Sequence, residues 1–351
     1  MLLTSAERGA IVMAANRAVA SGRTPATVEP GDFDLPTLRP LVARWVETLN
    51  GGRGFVLVRG FPVDQLSPES TELAYAGLGH QLGVPISQDA DATLLGHVRD
   101  EGVSRSDPSV RLYRTRARQD FHTDGSDIVG LLCLQRAKSG GQSRIASSLA
   151  VYNEILRRRP DLVDVLYQPM YWDRNEEQSP GEDPFFALPV FNEVAGNLRI
   201  FYIGWYIRDA QRHPQVPRLT DPQREALDLI ESIANDPEFR LDMDFEPGDI
   251  QLLANAKILH SREAYEDHDD PDPDAICYAC GSLPTRSRAW TTSYGVASPS
   301  ECNHPNLTTP SGPIPDRVAG DRARVGREVA PMAEVAPKRL FAADEKRLGI
   351  G

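Results

Sequence analysis

The chain has 351 residues, which is one large domain or two ordinary ones. Lys plus Arg number 38 against 50 Asp plus Glu, a net charge of −12, so a general binder of phosphate backbones is excluded and no nucleic-acid partner is expected. Hydrophobic residues at 40% supply a real core and exclude global disorder, and four cysteines are too few for a disulfide scaffold.

Residues 5–20 read as an amphipathic helix, with Glu7 and Arg8 where a signal peptide would need apolar residues. The expected start is that of a mature cytoplasmic protein. A second helix runs from about Leu38 to Leu49 and stops at Gly51-Gly52. Gly54 to Gly60 is an apolar run between glycines and predicts a buried strand. Ser67-Pro68-Glu69 opens a helix that closes near Gly83, with serine as N-cap and proline in the first turn. Asp127 to Gln135 is β-rich and holds the longest apolar run, Ile128 to Leu134, too short for a membrane helix of ~20 residues. No membrane partner is therefore expected.

Ser147 to Arg159 predicts a helix ended by Pro160, with Arg157-Arg-Arg159 complementing its dipole. Phe185 to Val190, Leu198 to Trp205 and Phe239 to Met243 predict strands. Thr220-Asp221-Pro222 caps a helix through about Ala234. Pro247-Gly248-Asp249 turns into Ile250 to Ala254, and Lys257 to His260 is another short β run. No internal repeat is present. Many short strands with helices at the N-terminus and in two insertions predict an α+β class, a sandwich or barrel rather than alternating βαβ units.

His122-Thr123-Asp124 carries the first chemical signal. Residues two apart on an extended strand point the same way, so His122 and Asp124 can offer a nitrogen and an oxygen to one metal. His260 closes an apolar β run after the Pro-Gly-Asp turn and supplies a candidate third ligand. Two histidines and one carboxylate on one face make the facial triad of non-haem Fe(II) oxygenases.

At these residues the sequence resembles the Fe(II)/2-oxoglutarate-dependent dioxygenases of the taurine dioxygenase-like group. The resemblance runs in order through Arg59-Gly-Phe-Pro62, Phe121-His-Thr-Asp-Gly125, Lys138-Ser-Gly-Gly-Gln-Ser143 and Glu246-Pro-Gly-Asp-Ile250 to His260, over roughly residues 35–270. It implies a double-stranded β-helix, a squashed jelly-roll barrel of two sheets with flanking helices. It implies Fe(II) on His122, Asp124 and His260, with 2-oxoglutarate and O2 as co-substrates. It places on Ser143, just after the Gly-Gly turn, a hydroxyl that bonds the co-substrate carboxylate. The implied reaction hydroxylates a small molecule and releases succinate and CO2. Homo-oligomerisation is left open.

One departure stands out. The group carries an arginine for the distal carboxylate of 2-oxoglutarate about 15–20 residues after the distal histidine, in a strand run like His-Leu-Leu-Arg-Leu-Trp-Leu. Here Pro273 to Ser282 has no arginine and no strand-like pattern. With codons GCC-ATC-TGC-TAC-GCC-TGT-GGC-TC, Ala275 to Ser282 read from the last base of the first codon gives His-Leu-Leu-Arg-Leu-Trp-Leu. A frame displaced near Asp272 to Asp274 would account for the departure. The same region marks a change in composition: eighteen of 28 prolines fall in residues 1–270 and ten in residues 271–351. The expected organisation is a catalytic domain over residues 1–272 and an atypical proline-rich tail over 273–351, out of frame and disordered. The chain as written is then expected to lack a core strand and the carboxylate anchor. An unpaired carboxylate in a closed pocket costs several kcal/mol, so weak 2-oxoglutarate binding and poor folding follow. The alternative reading is a catalytically impaired or dead barrel that binds a small ligand or partner.

Other residues have rival roles. Cys277-x2-Cys280 with Cys302-x-His304 has the ligand types of a structural zinc site. Cys133 reads as a buried small hydrophobe. Glu266 to Asp274 is acidic but lacks the glycine and spacing of a calcium loop. His80, His97, His213, His268 and His304 read as core or surface residues. Lys138 faces either the pocket or solvent. Arg262, two after His260, could replace the missing anchor, but is expected to leave the strand end.

Overall fold

A computed structural model describes residues 1–86, 93–104, 110–194 and 196–267, together with the main chain of Cys277–Leu283. The chain divides into two compact units, Met1–Asn303 and His304–Gly351, and the second lies outside the described residues. Of the tail expected over 273–351, only the main chain of Cys277–Leu283 is among the described residues. Cys302, His268 and His304 also fall outside.

Helix starts follow their caps. Thr4 and Glu7 form a capping box at Ser5–Ala20, Ser67 caps Pro68–Leu82, and Thr220 with Gln223 caps Asp221–Asn235. Each cap satisfies amide donors that the first turn leaves without a helical partner. Arg39–Asn50 buries Val42, Trp45 and Leu49 on one face. Ser148–Arg158 ends as expected, but Pro160 does not simply stop it. Arg159 leaves helical geometry, and Pro160 starts a second helix, Pro160–Leu166, because proline is tolerated in a first turn. The arginines at that junction do more than meet a dipole: Arg157 forks onto Glu154 at 2.8 and 2.7 Å and Arg158 reaches the same carboxylate at 2.5 Å.

Antiparallel strands form two main sheets. The first has the order Phe55–Val58, Ile250–Ala254, Ile128–Cys133, Cys277–Leu283 and Val84–Pro85, with Gly96–His97 also paired to Cys277–Leu283. The second has the order Arg240–Met243, Ser143–Ser147, Ile258–Arg262 and Gln119–His122. This mixture of helices with antiparallel sheets is the α+β class expected.

Two expectations are corrected. Residues 198–205 are not one strand: Asn197–Ile200 pairs in a hairpin, and Gly204–Asp209 turns into a short helix that buries Ile207. The stretch without a strand-like pattern does form a strand, so the first sheet does not lack it. Cys277–Leu283 lies along Ile128–Cys133 in continuous register from Cys277↔Cys133 to Ser282↔Ile128. Main-chain pairing on both sides overrides weak local propensity here. Arg262, as expected, stands at a strand end and not on the neighbouring strand: it is the last residue of Ile258–Arg262, opposite Ser143.

Two apolar clusters flank the sheets. One packs Phe33, Trp45 and Leu73 of the N-terminal segment on Val56, Leu132 and Leu252. The other packs Ile155 and Ile230 of the insertion helices with Trp172 and Tyr202 on Phe121 and Leu259. The two outer motif segments meet where these elements close. The Phe61 amide donates to the Gly248 carbonyl at 2.8 Å, and the Gly248 amide donates to the Cys133 carbonyl at 2.8 Å. Gly248 has φ +87°, and a Cβ there would stand 2.4 Å from the Phe61 carbonyl oxygen. Glycine is required at that turn on both counts.

Candidate active site

The second sheet brings the sequence-predicted ligands together. His122 ends the strand Gln119–His122 and pairs directly with His260 on Ile258–Arg262. Their rings lie 4.1 Å apart, and the Trp205 ring stands edge-on to His122 at 5.0 Å. Asp124 follows the strand end. Its Oδ2 is 3.2 Å from His260 Nε2 and its Oδ1 is 3.7 Å from His122 Nε2. One donor atom from each of the three lies within 4.8 Å of the others, a spacing able to hold one metal ion.

Protonation suits such a role. His122 Nδ1 lies 2.8 Å from the Asp120 carbonyl, which can only accept, so that nitrogen carries the proton and Nε2 presents its lone pair. Burial, then the neighbouring His260, pushes the His122 pKa down to about 3, so the ring is neutral. Burial raises the Asp124 carboxyl, but His260 and His122 outweigh it and hold the group well below the usual carboxylate range. A neutral imidazole and an ionised carboxylate are what a divalent metal requires.

The loop between the two ligands is clamped at the main chain. The Thr123 amide donates to the Tyr202 carbonyl at 2.7 Å, and the Tyr202 amide donates to Thr123 Oγ1 at 2.8 Å. The Tyr202 hydroxyl donates to Glu231 on the helix Asp221–Asn235 at 3.0 Å. On the other side, the Asp124 amide donates to Asn255 Oδ1 at 2.8 Å. These clamps come from residues 79 to 131 positions away.

A cavity of about 410 Å³ opens from the triad. Val129, Leu131 and Cys133 give it an apolar wall, and Cys133 is buried as expected. Ser143 lines it too, 5% exposed, with its Oγ accepting from Gln251 Nε2 at 3.0 Å. The Gly-Gly turn that precedes Ser143 packs tightly: Gly140 has φ +75°, and a Cβ there would stand 2.1 Å from the Ala264 carbonyl oxygen. Lys138 and Arg262 both line the cavity. A second lobe of about 100 Å³ shares His122, Asp124 and Arg111 and is walled by Phe186, Trp205 and Tyr206. There Arg111 forks onto Glu177, with Nε to Oε1 at 2.7 Å.

Sequence reasoning missed Gln119, Gln251, Asn255 and the Arg111–Glu177 pair. Gln119 Nε2 lies 3.1 Å from His122 Nε2, three residues before it. The only local signal for Asn255 was an amide side chain at the end of an apolar β run. Nothing local marked the others. His213 lies apart from the triad and pairs with Asp173 at 2.9 Å, and His97 lies 3.4 Å from Glu72.

The family described as taurine catabolism dioxygenase TauD, TfdA family matches residues 21–274. The chain belongs to this family. FR-33289 synthase of Streptomyces rubellomurinus (strain ATCC 31215) is 31% identical over 275 residues, 78% of this chain and 81% of that protein. Among solved structures, an asparagine oxygenase in complex with Fe(II), 3-hydroxyasparagine and succinate aligns at TM-score 0.62 and 17% identity, covering 81% of this chain and 93% of that one. The non-haem iron oxygenase OrfP with iron and α-ketoglutaric acid aligns at TM-score 0.59 and 17% identity, with the same coverage of both chains. The TauD/TfdA fold of this chain is thus shared with iron oxygenases, and the expected dioxygenase resemblance holds at the level of family. Among the described residues no helix is long and apolar enough to cross a membrane.

Proposed function

We propose that the chain is an Fe(II)- and 2-oxoglutarate-dependent oxygenase that hydroxylates a small organic molecule and releases succinate and CO2. The observation that carries this reading is the convergence of His122, Asp124 and His260 at the end of one cavity, with donor atoms within 4.8 Å. In it, the two main sheets are the halves of a double-stranded β-helix, and residues 1–272 form the catalytic domain, completed by the strand Cys277–Leu283.

The protein's own residues have separable tasks. His122, Asp124 and His260 would hold the metal, leaving the remaining positions open. Bound iron with 2-oxoglutarate and O2 supplies the oxidising chemistry. Ser143, held by Gln251, would present its hydroxyl to the co-substrate carboxylate. The wall of Val129, Leu131 and Cys133 limits water at the reacting centre. The smaller lobe beside Arg111, Trp205 and Tyr206 would orient the substrate. Its size and mixed charged and aromatic lining suit a small polar molecule, in keeping with the hydroxylated amino acids bound by the asparagine oxygenase and OrfP.

A second reading has one observation in its favour. No arginine stands in Cys277–Leu283, the strand expected to carry the carboxylate anchor. A barrel of this family without that anchor could bind a ligand without turnover. Incubation with Fe(II), 2-oxoglutarate and a panel of small polar acids separates the two. The leading reading expects iron-dependent succinate release that Asp124→Ala abolishes; no succinate with any substrate, despite metal binding, favours the second.

A further inference from the structure

We propose that Gln119 guards the metal site: its carboxamide holds the coordinating lone pair of His122 and yields it when a metal binds. This rests on the proposed function and adds Gln119 to that site as a positioning residue, not as a ligand. On a regular strand, residues three apart face opposite sides, which would turn Gln119 away from His122. The ladder is not regular here. His260 stands opposite His122 and Arg262 opposite Gln119, so two steps along Ile258–Arg262 face three along Gln119–His122. The extra residue makes a β-bulge at Asp120-Phe121, a device that re-aims side chains beside active sites. It brings Gln119 round to the His122 face, while Phe121 stays fully buried in the second apolar cluster.

Two hydrogen bonds from the bulged segment then fix the His122 ring. Nδ1 donates to the Asp120 carbonyl at 2.8 Å, which leaves Nε2 with its lone pair. Gln119 Nε2 donates to that lone pair at 3.1 Å. The carboxamide oxygen in its place would set lone pair against lone pair, so the nitrogen faces the ring. The main chain before the bulge is held independently. Arg262 Nη2 donates to the Thr115 and Ala117 carbonyls at 2.7 Å each, and the Tyr265 amide donates to the Arg116 carbonyl at 3.1 Å. The Gln119 side chain can therefore move on a fixed backbone.

An imidazole nitrogen has one lone pair to give. A metal held by His122, Asp124 and His260 takes the one on His122 Nε2, and the Gln119 N–H must then let go. The carboxamide has room to do so, because Gln119 lines both the cavity of about 410 Å³ and the smaller lobe. A neutral hydrogen bond contributes modestly to stability, so giving it up weakens metal binding by about 2- to 10-fold. In return the ring stays aimed into the cavity in the tautomer that a metal needs. Metal binding also releases a carboxamide, with its donors and its acceptor, where the two lobes meet.

The test is calorimetric titration of the full chain with Mn(II) and with Co(II), in the absence of 2-oxoglutarate. Thermal unfolding of the same samples is followed with and without saturating metal. Q119A and Q119L both remove the donor, and leucine keeps most of the volume. Both variants should bind each metal about 2- to 10-fold tighter than the unsubstituted chain. Their melting temperatures should fall without metal and approach that of the unsubstituted chain at saturation. A merely structural role would lower both melting temperatures alike and would not tighten binding. Unchanged or weaker metal affinity in either variant would therefore overturn the assignment while leaving the oxygenase reading intact. If the unsubstituted chain binds neither metal, the oxygenase reading fails, and the assignment with it.

Discussion

The carboxamide of Asn255 pairs edge-on with the main chain of Asp124. Its Oδ1 accepts from the Asp124 amide at 2.8 Å, and its Nδ2 donates to the Asp124 carbonyl and to the Ser126 carbonyl, the latter at 2.7 Å. A side chain 4% exposed thus does the work of a neighbouring strand where the ladder has ended. Asn255→Ala leaves three main-chain groups to find new partners. We expect a loss of about 1–3 kcal/mol in urea unfolding, and Co(II) or Fe(II) affinity about 10- to 100-fold weaker. Unchanged metal affinity would remove Asn255 from the positioning of Asp124.

Glu231 gives a pH dependence away from the ligands themselves. Burial raises its carboxyl from 4.5 to about 7, against the opposing hydrogen bond from Tyr202. Between those values the folded chain keeps a proton that the unfolded chain has lost. Stability therefore falls as pH rises from about 4.5 to about 7 and is level above. Glu231→Gln keeps an acceptor for the Tyr202 hydroxyl but cannot ionise. Its melting temperature should lose that slope and exceed the parent's above pH 7; a parallel pH profile for the two proteins would refute this.

Metal should stabilise the fold through the triad. At 100-fold excess over its dissociation constant a ligand adds about 2.7 kcal/mol. Fe(II) or Mn(II) should raise the melting temperature of the parent under anaerobic conditions, and a chelator should reverse it. Asp124→Ala should show no rise, because two imidazoles alone bind these ions weakly.

Ser143→Ala should separate packing from recognition. The substitution removes the partner of a buried carboxamide, Gln251, at a cost of about 1–3 kcal/mol in thermal unfolding. It should also weaken 2-oxoglutarate binding several-fold without changing Fe(II) affinity. Equal weakening of both would point to a collapsed cavity instead.

How far the sequence could be read depended on whether a signal was local. Ser67 and Thr220 announced their helices because a cap acts within one turn. His122 and Asp124 were legible because two residues of spacing fix a shared direction on a strand. His260 was legible because an apolar β run led to it. The residues that hold this segment were not, since Asn255 and Tyr202 reach Asp124 and Thr123 across 131 and 79 positions. Cys277–Leu283 was hidden for another reason. Its cysteines, alanine, glycine and serine carry no alternation, and its strand form is set by the main chain of its neighbours.

The slot filled by Cys277–Leu283 lies between Ile128–Cys133 on one side and Val84–Pro85 with Gly96–His97 on the other. Such a slot selects for a peptide backbone and is nearly indifferent to what the backbone carries. Architecture and chemistry are therefore inherited separately at this point. A segment can be exchanged there and the sheet still close, and any charge the interior needs from that position then has to come from elsewhere.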